Sequence, residues 1–375
     1  MSQGRDYRDT AVLGGPPARS GPIPPDGAGR LTRLPFIQVL TPTDEILNSD
    51  AAITANGTDV QASAPATRVS LSRVGVTGVE KVLRIGEDGH YHAELECYVD
   101  LGPDQAGVHM SRFEENVAEA VDEVTTNGSM RAEQLAARIA GLVREKQRGI
   151  RAEVSVTARY PESVPAPVSG IENQEIYTLL GTAVASAGTT RTVTGVQAQG
   201  MTACPCAQEM VADLARGNLA DRGYSPGQIE EIIDAVPIAT HNQRGIGTLY
   251  IGCAEGSGTD LDARDMLRLV ESSMSSEIYE LMKRPDELAV VTKAHDQPRF
   301  VEDCVREMLR QVLDSYPSLP ADAFVMARQE NLETIHRHNV VAERHGLISE
   351  LRAELSGDEH SFPHVSMREW LEKTG

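Results

Sequence analysis

The sequence predicts an α+β fold built in two similar halves. Three observations carry this. Short stretches alternate apolar and polar residues with period two, the mark of half-buried strands. Between them lie pairs of longer segments with apolar residues on one helical stripe. The order of strands, paired helices and a closing strand then occurs twice along the chain. Hairpins with helices on one face make an α+β unit. Aromatic residues are only 4% of the chain, so Val, Leu, Ile and Ala must fill the cores.

Residues 1–58 are rich in Gly, Pro, Asp and Ala and show little periodicity. They read as a mobile extension, or as sequence upstream of an internal start at a non-Met codon such as that of Val60. Order begins with "RVSLSRVGV", a strand, and "HYHAELECYVDL", a second, with "GVTG" as the turn between them. "SRFEENVAEAVDEV" and "SMRAEQLAARIAGLVREKQ" read as helices. "IRAEVSVTARYP" is a strand that Pro161 closes, and "VPAPVSGIENQE" connects the halves. The second half offers the strands "IYTLLGTAVAS" and "TRTVTGVQAQG", then the segment "ACPCAQEM", then the strand "GTLYIGCAEG". Next comes "LDARDMLRLVESSMSSEIYELMKR", read as one helix with Leu267, Val270, Met274, Ile278 and Leu281 on its stripe. The helix "RFVEDCVREMLRQVLDSY" and the strand "AFVMARQEN" complete the pattern.

Composition bounds the function. No apolar run approaches the roughly 18–20 residues of a spanning helix, and no apolar stretch near the N-terminus resembles a secretory signal. Five scattered cysteines suit a reducing cytoplasm better than a disulfide framework. Acidic residues number 55 against 35 Lys plus Arg, a net charge of −20, and only five of the cations are lysines. That balance fits a solvated surface in a high-salt cytoplasm. It excludes general binding to nucleic acid or anionic membrane, which needs a basic face. An anionic small molecule would need a local arginine cluster.

The chemistry-bearing stretch is Cys204-Pro205-Cys206. Structural zinc clips use a Cys-x2-Cys pair and a second Cys or His pair, and this chain has no second CxxC. A structural zinc site, a redox pair, a buried structural pair and one end of a catalytic metal site stay open on the residues alone. Possible company lies elsewhere. His241 stands at a strand entrance before Asn242, Gln243 and Arg244. His336 and His338 follow a strand end, where two residues on a helix would not share a face. Glu287 follows Pro285, which would end a helix, and Glu302 sits in a first helical turn.

"GMTACPCAQEM", "HNQRGIGTL", "KRPDE", "FVEDCVREM" and "ETIHRHN", in that order, resemble the archaeal GTP cyclohydrolases of pterin biosynthesis, relatives of the type IB GTP cyclohydrolases. "DVQASAPATRVSLSRVGVTGVEK" and "GVHMSRFEENV" resemble the family's opening, and the likeness runs from about Asp59 to Gly346. It implies the tunnelling fold, with tandem units over residues 59–170 and 171–346 and a C-terminal tail over 347–375. It also implies a barrel-forming homo-oligomer, a tetramer or larger, because one chain's sheet would leave open edges. The implied cofactor is one Fe(II) per subunit, with Zn or Mn as alternatives. Its implied ligands are Cys204, His241, Glu287 and His336, with His338 as the rival of His336.

By the same resemblance Glu302 holds the guanine edge, and Cys206 acts as a proton carrier or alternative ligand. Arg112, Arg244 and Arg284 form the triphosphate group. The implied substrates are GTP and water, in the cytoplasm. The implied product is formate plus 7,8-dihydroneopterin 2′,3′-cyclic phosphate. The alternatives are 7,8-dihydroneopterin triphosphate, a cysteine-dependent reductase on the same fold, or a metal-stabilised assembly protein without activity. Residues 212–240, with a helix start at Ser225-Pro226, form an insertion of the archaeal type.

Overall fold

In a computed structural model, one antiparallel sheet of nine strands organises the described residues. The structure describes residues 61–85, 89–127, 131–257, 259–357 and 363–373; the expected extension over 1–58 lies outside them. The sheet order is β1 (Leu71–Ile85), β2 (Gly89–Leu101), β3 (Ala152–Pro165), β4 (Glu172–Ser186), β5 (Thr189–Ala203), β6 (Asn242–Ala254), β8 (Phe324–Leu332) and β9 (Val340–Leu347). The two-residue strand β7 (Ser276–Glu277) pairs with β5 off this path. β1 and β9 end this order, each hydrogen-bonded to a strand on one side only among the described residues.

One face of the sheet carries helices. Between β2 and β3 the chain forms α1 (Met110–Asn127) and α2 (Ala132–Gln147). Their Phe113, Val117, Leu135 and Ile139 pack with Leu95, Cys97, Val154 and Val156 of the strands. Gly181 of β4 permits this docking, because a Cβ there would stand 2.2 Å from the Ala132 backbone at the start of α2. Farther along lie α5 (Ala263–Ser272) and α7 (Val301–Ser315). Their Met266, Val270, Met308 and Val312 meet Val196, Leu249, Ile251 and Val325 in a second core. The boundary expected at residue 170 falls in the turn that joins β3 to β4, where the Ala166 N–H donates to the Ile171 carbonyl.

The remaining helices lie near the rim or the end of the chain. They are α3 (Pro205–Asp221), α4 (Pro226–Ala235), α6 (Arg284–Asp296), α8 (Ile348–Leu355) and α9 (Met367–Glu372). α9 covers part of the opposite face. Its Trp370 is 1% exposed among Val184, Val193 and Phe324, and its indole N–H donates to the Asp322 carbonyl. Among the described residues no helix is long and apolar enough to cross a membrane.

Four expectations from the sequence are corrected. "GVTG" is no turn: β1 runs through it, with a register shift between Val76 and Val79 and Gly78 at φ +66°. Pro161 does not close β3 but sits opposite Ile176. The β2 partner reaches only Ala158, so the missing N–H faces no neighbouring strand. The long helix from Leu261 to Arg284 stops at Ser272, because serines at 272, 273, 275 and 276 compete for backbone hydrogen bonds. Ile278 and Leu281 therefore leave the stripe, and Leu281 is exposed. Pro285 opens a helix rather than ending one, standing in the first turn of α6 where its missing N–H costs nothing.

One half-buried acid marks the α5 end. The Tyr177 hydroxyl donates to Glu271 over 2.7 Å. Burial pushes the Glu271 carboxyl up to about 7; the tyrosine bond opposes this, and Glu277 and Glu175 add repulsion. Between about pH 4.5 and 7 the folded chain thus holds a proton that the unfolded chain releases, so this group's contribution to stability falls as pH rises through that window. Glu271→Gln is expected to flatten the dependence and to be the more stable protein at pH 8, by at most about 3 kcal/mol. Urea unfolding at pH 5 and pH 8 checks this. An equal loss of stability at both values would contradict it.

Candidate active site

At one end of the sheet, β5 finishes beside the start of β6, and β8 finishes on the other side of β6. Antiparallel pairing therefore gathers Cys204, His241 and residues 331–333 at a single rim. The last β5–β6 pair is Ala203 with Asn242. One step further, the Cys204 N–H donates to the His241 carbonyl over 3.2 Å, and the Thr240 hydroxyl donates to the Cys204 carbonyl over 2.8 Å. The thiol and the imidazole thus sit opposite each other at the same end of one ladder. Cys204 is also the N-cap of α3, and its Sγ accepts the Ala207 N–H at 3.4 Å. Pro205 in the first turn makes this a sharp strand-to-helix corner.

A cavity of about 240 Å³ opens here, lined by Cys204, His241, Gln243, Arg299, Phe300, Val301, Glu302, Asn331, Glu333, His336 and Val340. His241 Nδ1 lies 3.0 Å from Gln243 Oε1, and the Gln243 amide nitrogen donates to the Thr202 hydroxyl at 3.0 Å. That chain makes Nδ1 the donor and leaves Nε2 its lone pair, the tautomer a metal ligand or base requires. Glu333 Oε2 lies 3.9 Å from the same Nδ1, its side chain 6% exposed, and has no hydrogen-bond partner. An unpaired buried carboxylate oxygen is costly unless something else comes to meet it.

Of the residues expected from the sequence, Cys204, His241, Glu302 and His336 share this cavity. His336 lies in the loop from β8 to β9, not on a helix, so its ring stacks on His338 with centroids 5.3 Å apart. Cys206 is exposed and is not among the lining residues. Glu287 is exposed on α6, outside this cavity. Its neighbour Asp286 is the engaged acid of that motif. It accepts from Val168 N, Ser169 N, Ser169 Oγ and Lys283 N, which fixes α6 against the β3–β4 turn. Burial alone would raise the Asp286 carboxyl, but these donors outweigh it and hold the group below its usual range.

Arg112 on α1, Arg244 and Arg284 are likewise absent from the lining. Arg244 follows Gln243 on β6, so strand alternation turns it to the opposite face. The arginine in the wall is Arg299, which none of the sequence motifs marks. Glu333, Gln243 and Asn331 were missed as well. A signal for Glu333 existed: Val325 and Ala327 are core, and Gln329, Asn331 and Glu333 continue the same alternate positions.

The donor set is a thiol, an imidazole with a free Nε2, and an unpartnered carboxylate oxygen. By type it suits Fe(II) or Zn(II). Among the described residues no three His, Cys, Asp or Glu side chains stand close enough to hold an ion between them. The donors therefore line the cavity without converging. The three buried thiols offer no competition: burial pushes Cys97 and Cys304 up to about 12 and raises Cys253 as well.

Comparison with known proteins identifies relatives over most of the chain. A family model described as type I GTP cyclohydrolase folE2 matches residues 58–342. GTP cyclohydrolase MptA of Methanococcus maripaludis strain C5 is 40% identical over 308 residues, covering 79% of this chain and 97% of that protein. GTP cyclohydrolase MptA of Methanothermobacter thermautotrophicus is 40% identical over 306 residues, covering 79% and 95%. Among solved structures, uricase from Arthrobacter globiformis aligns with a TM-score of 0.45 at 11% identity, over 79% of this chain and 99% of that one. A likeness that distant carries no argument about function.

Proposed function

The chain belongs to the type I GTP cyclohydrolase family, and on that premise we propose that it opens the guanine imidazole ring of GTP at C8 and releases formate, in pterin biosynthesis. The observation that supports this reading most is the presence of Cys204, His241, Glu302, Glu333 and His336 in the lining of one cavity. At about 240 Å³ it is smaller than the roughly 300–1,000 Å³ of sites that enclose a whole drug-sized ligand. It suits the reacting end of a nucleotide and leaves the phosphates outside.

Glu302, at the mouth, accepts the guanine N1–H and 2-amino donors together, because a carboxylate has two acceptor oxygens. Cys204 and His241 Nε2 would hold a divalent metal, with His336 and a carboxylate as further donors. Of the two cavity carboxylates, Glu333 is the one beside His241, and Glu287 is the one the sequence resemblance implies. Fe(II), when bound, lowers the pKa of water so that hydroxide is available near neutral pH. Gln243 keeps His241 in its ligating tautomer, and Glu333 is placed to hold or move a proton beside it. Arg112, Arg244 and Arg284 lie outside this cavity, so they would reach the triphosphate through a neighbouring copy in a homo-oligomer of four or more chains. The free edges of β1 and β9 favour such an assembly. The proposed product is 7,8-dihydroneopterin 2′,3′-cyclic phosphate, formed as a hydroxyl of the pterin side chain attacks the α-phosphorus and the β- and γ-phosphates leave as diphosphate.

An anaerobic assay with GTP and Fe(II) tests this. One formate per GTP is expected, together with a pterin whose mass distinguishes the cyclic phosphate from the triphosphate. A chelator should abolish turnover, and fresh Fe(II) should restore it. Absence of formate, or full turnover in chelator, would overturn the reading.

A further inference from the structure

The corner that carries Cys204 is held from a second direction. Both backbone groups of Ala203 are engaged away from the sheet: its N–H donates to Ser275 Oγ at 3.1 Å, and its carbonyl accepts the Arg299 N–H at 2.9 Å. The two partners belong to segments far apart in sequence, one after α5 and one before α7. The Arg299 side chain joins them. Its Nη1 donates to the Ser272 carbonyl at 3.1 Å and the Ser273 carbonyl at 2.7 Å, at the C-terminal end of α5. Ser273 is fully buried. A cation at a helix C-terminus meets the negative end of the dipole as well as the free carbonyls. A planar guanidinium can serve both carbonyls while its other N–H groups remain available.

We propose that Arg299 is a positioning residue for Cys204: by clamping the α5 terminus it fixes the Ala203–Cys204 corner, and with it the distance from the thiol to His241. The proposal rests on the reading of Cys204 and His241 as working groups. It follows from the connectivity. Without the guanidinium, the backbone donor to Ala203 and the Ser275 acceptor are no longer tied to each other, and the corner can shift against β6. A displacement of about 1 Å at a reacting group costs on the order of a hundredfold in rate.

The test uses the full chain as Arg299→Gln and Arg299→Lys. Arg299→Gln is expected to lower kcat roughly 10–100-fold, with KM for GTP within about threefold of wild type, and Arg299→Lys to recover part of kcat. A second readout needs no turnover: alkylation of Cys204 by iodoacetamide at one fixed pH, without added metal, in a Cys206→Ser background. It should run severalfold faster in Arg299→Gln and at an intermediate rate in Arg299→Lys. A raised KM with unchanged kcat would mean that Arg299 binds the substrate's anionic part, and would overturn the proposal. So would wild-type kcat and alkylation accompanied only by a lower Tm. If Arg299→Gln does not fold, Arg299→Lys decides by the same measures. If the wild-type chain does not consume GTP, the functional reading fails while alkylation still judges the positioning.

Discussion

Cys204→Ala is expected to fold normally, to hold metal poorly and to lose nearly all GTP turnover. The loss should exceed the roughly 10–100-fold that removal of an outer-shell partner costs, because the thiol is assigned to the metal itself. The fold should survive for a local reason. Cys204 is only half-buried and belongs to none of the hydrophobic clusters; its structural contribution is the N-cap bond to Ala207 at 3.4 Å. Loss of a cap costs about 1 kcal/mol, a few degrees in Tm for a chain of this size. The bonds that place the corner do not involve the thiol and remain. Cys206→Ala removes an exposed group outside the cavity and should keep most metal and activity. Circular dichroism, metal analysis and the formate assay separate these effects. Collapse of the fold in Cys204→Ala would favour a structural clip, and full activity in a chelator would end the metal assignment.

How much of this was legible depended on whether the information was local. Strand alternation in "IRAEVSVTARY" and the helical stripe in "DARDMLRLV" are local, and β3 and α5 formed where those patterns stand. The end of α5 was not legible, because periodicity continued through Met274 to Leu281 while five residues of serine-rich backbone chose other partners. Those partners, Ala203 and Arg299, are distant in sequence, and that is why the clamp escaped notice. At the site, Cys204, His241 and His336 were readable because thiols and imidazoles are rare and stood in polar surroundings. Gln243 and Glu333 were not, because an amide and a carboxylate are common and become meaningful only when buried. The strand parity that buries Gln329, Asn331 and Glu333 was present, but the histidines beyond it drew the reading to the loop.

Glu333→Gln decides whether that buried carboxylate works or merely packs. Its unpartnered oxygen, 3.9 Å from His241 Nδ1, has lost water without gaining a hydrogen bond. Such a group is destabilising in itself. Glutamine keeps the shape and removes the charge, so the variant should unfold at the same Tm as wild type or higher. Turnover should nevertheless fall about 10²–10⁴-fold, the range for a group that moves a proton during reaction. A gain in stability with a loss of rate is the signature of a site residue whose burial is opposed by folding. Glu287→Gln is the informative partner, since its side chain is exposed and outside the cavity of its own chain. If Glu287→Gln loses metal while Glu333→Gln retains it, the metal's carboxylate comes from a neighbouring copy and Glu333 serves the proton alone. If Glu333→Gln turns GTP over at the wild-type rate, the carboxylate beside His241 has no part in the chemistry, and the role assigned to it here is wrong.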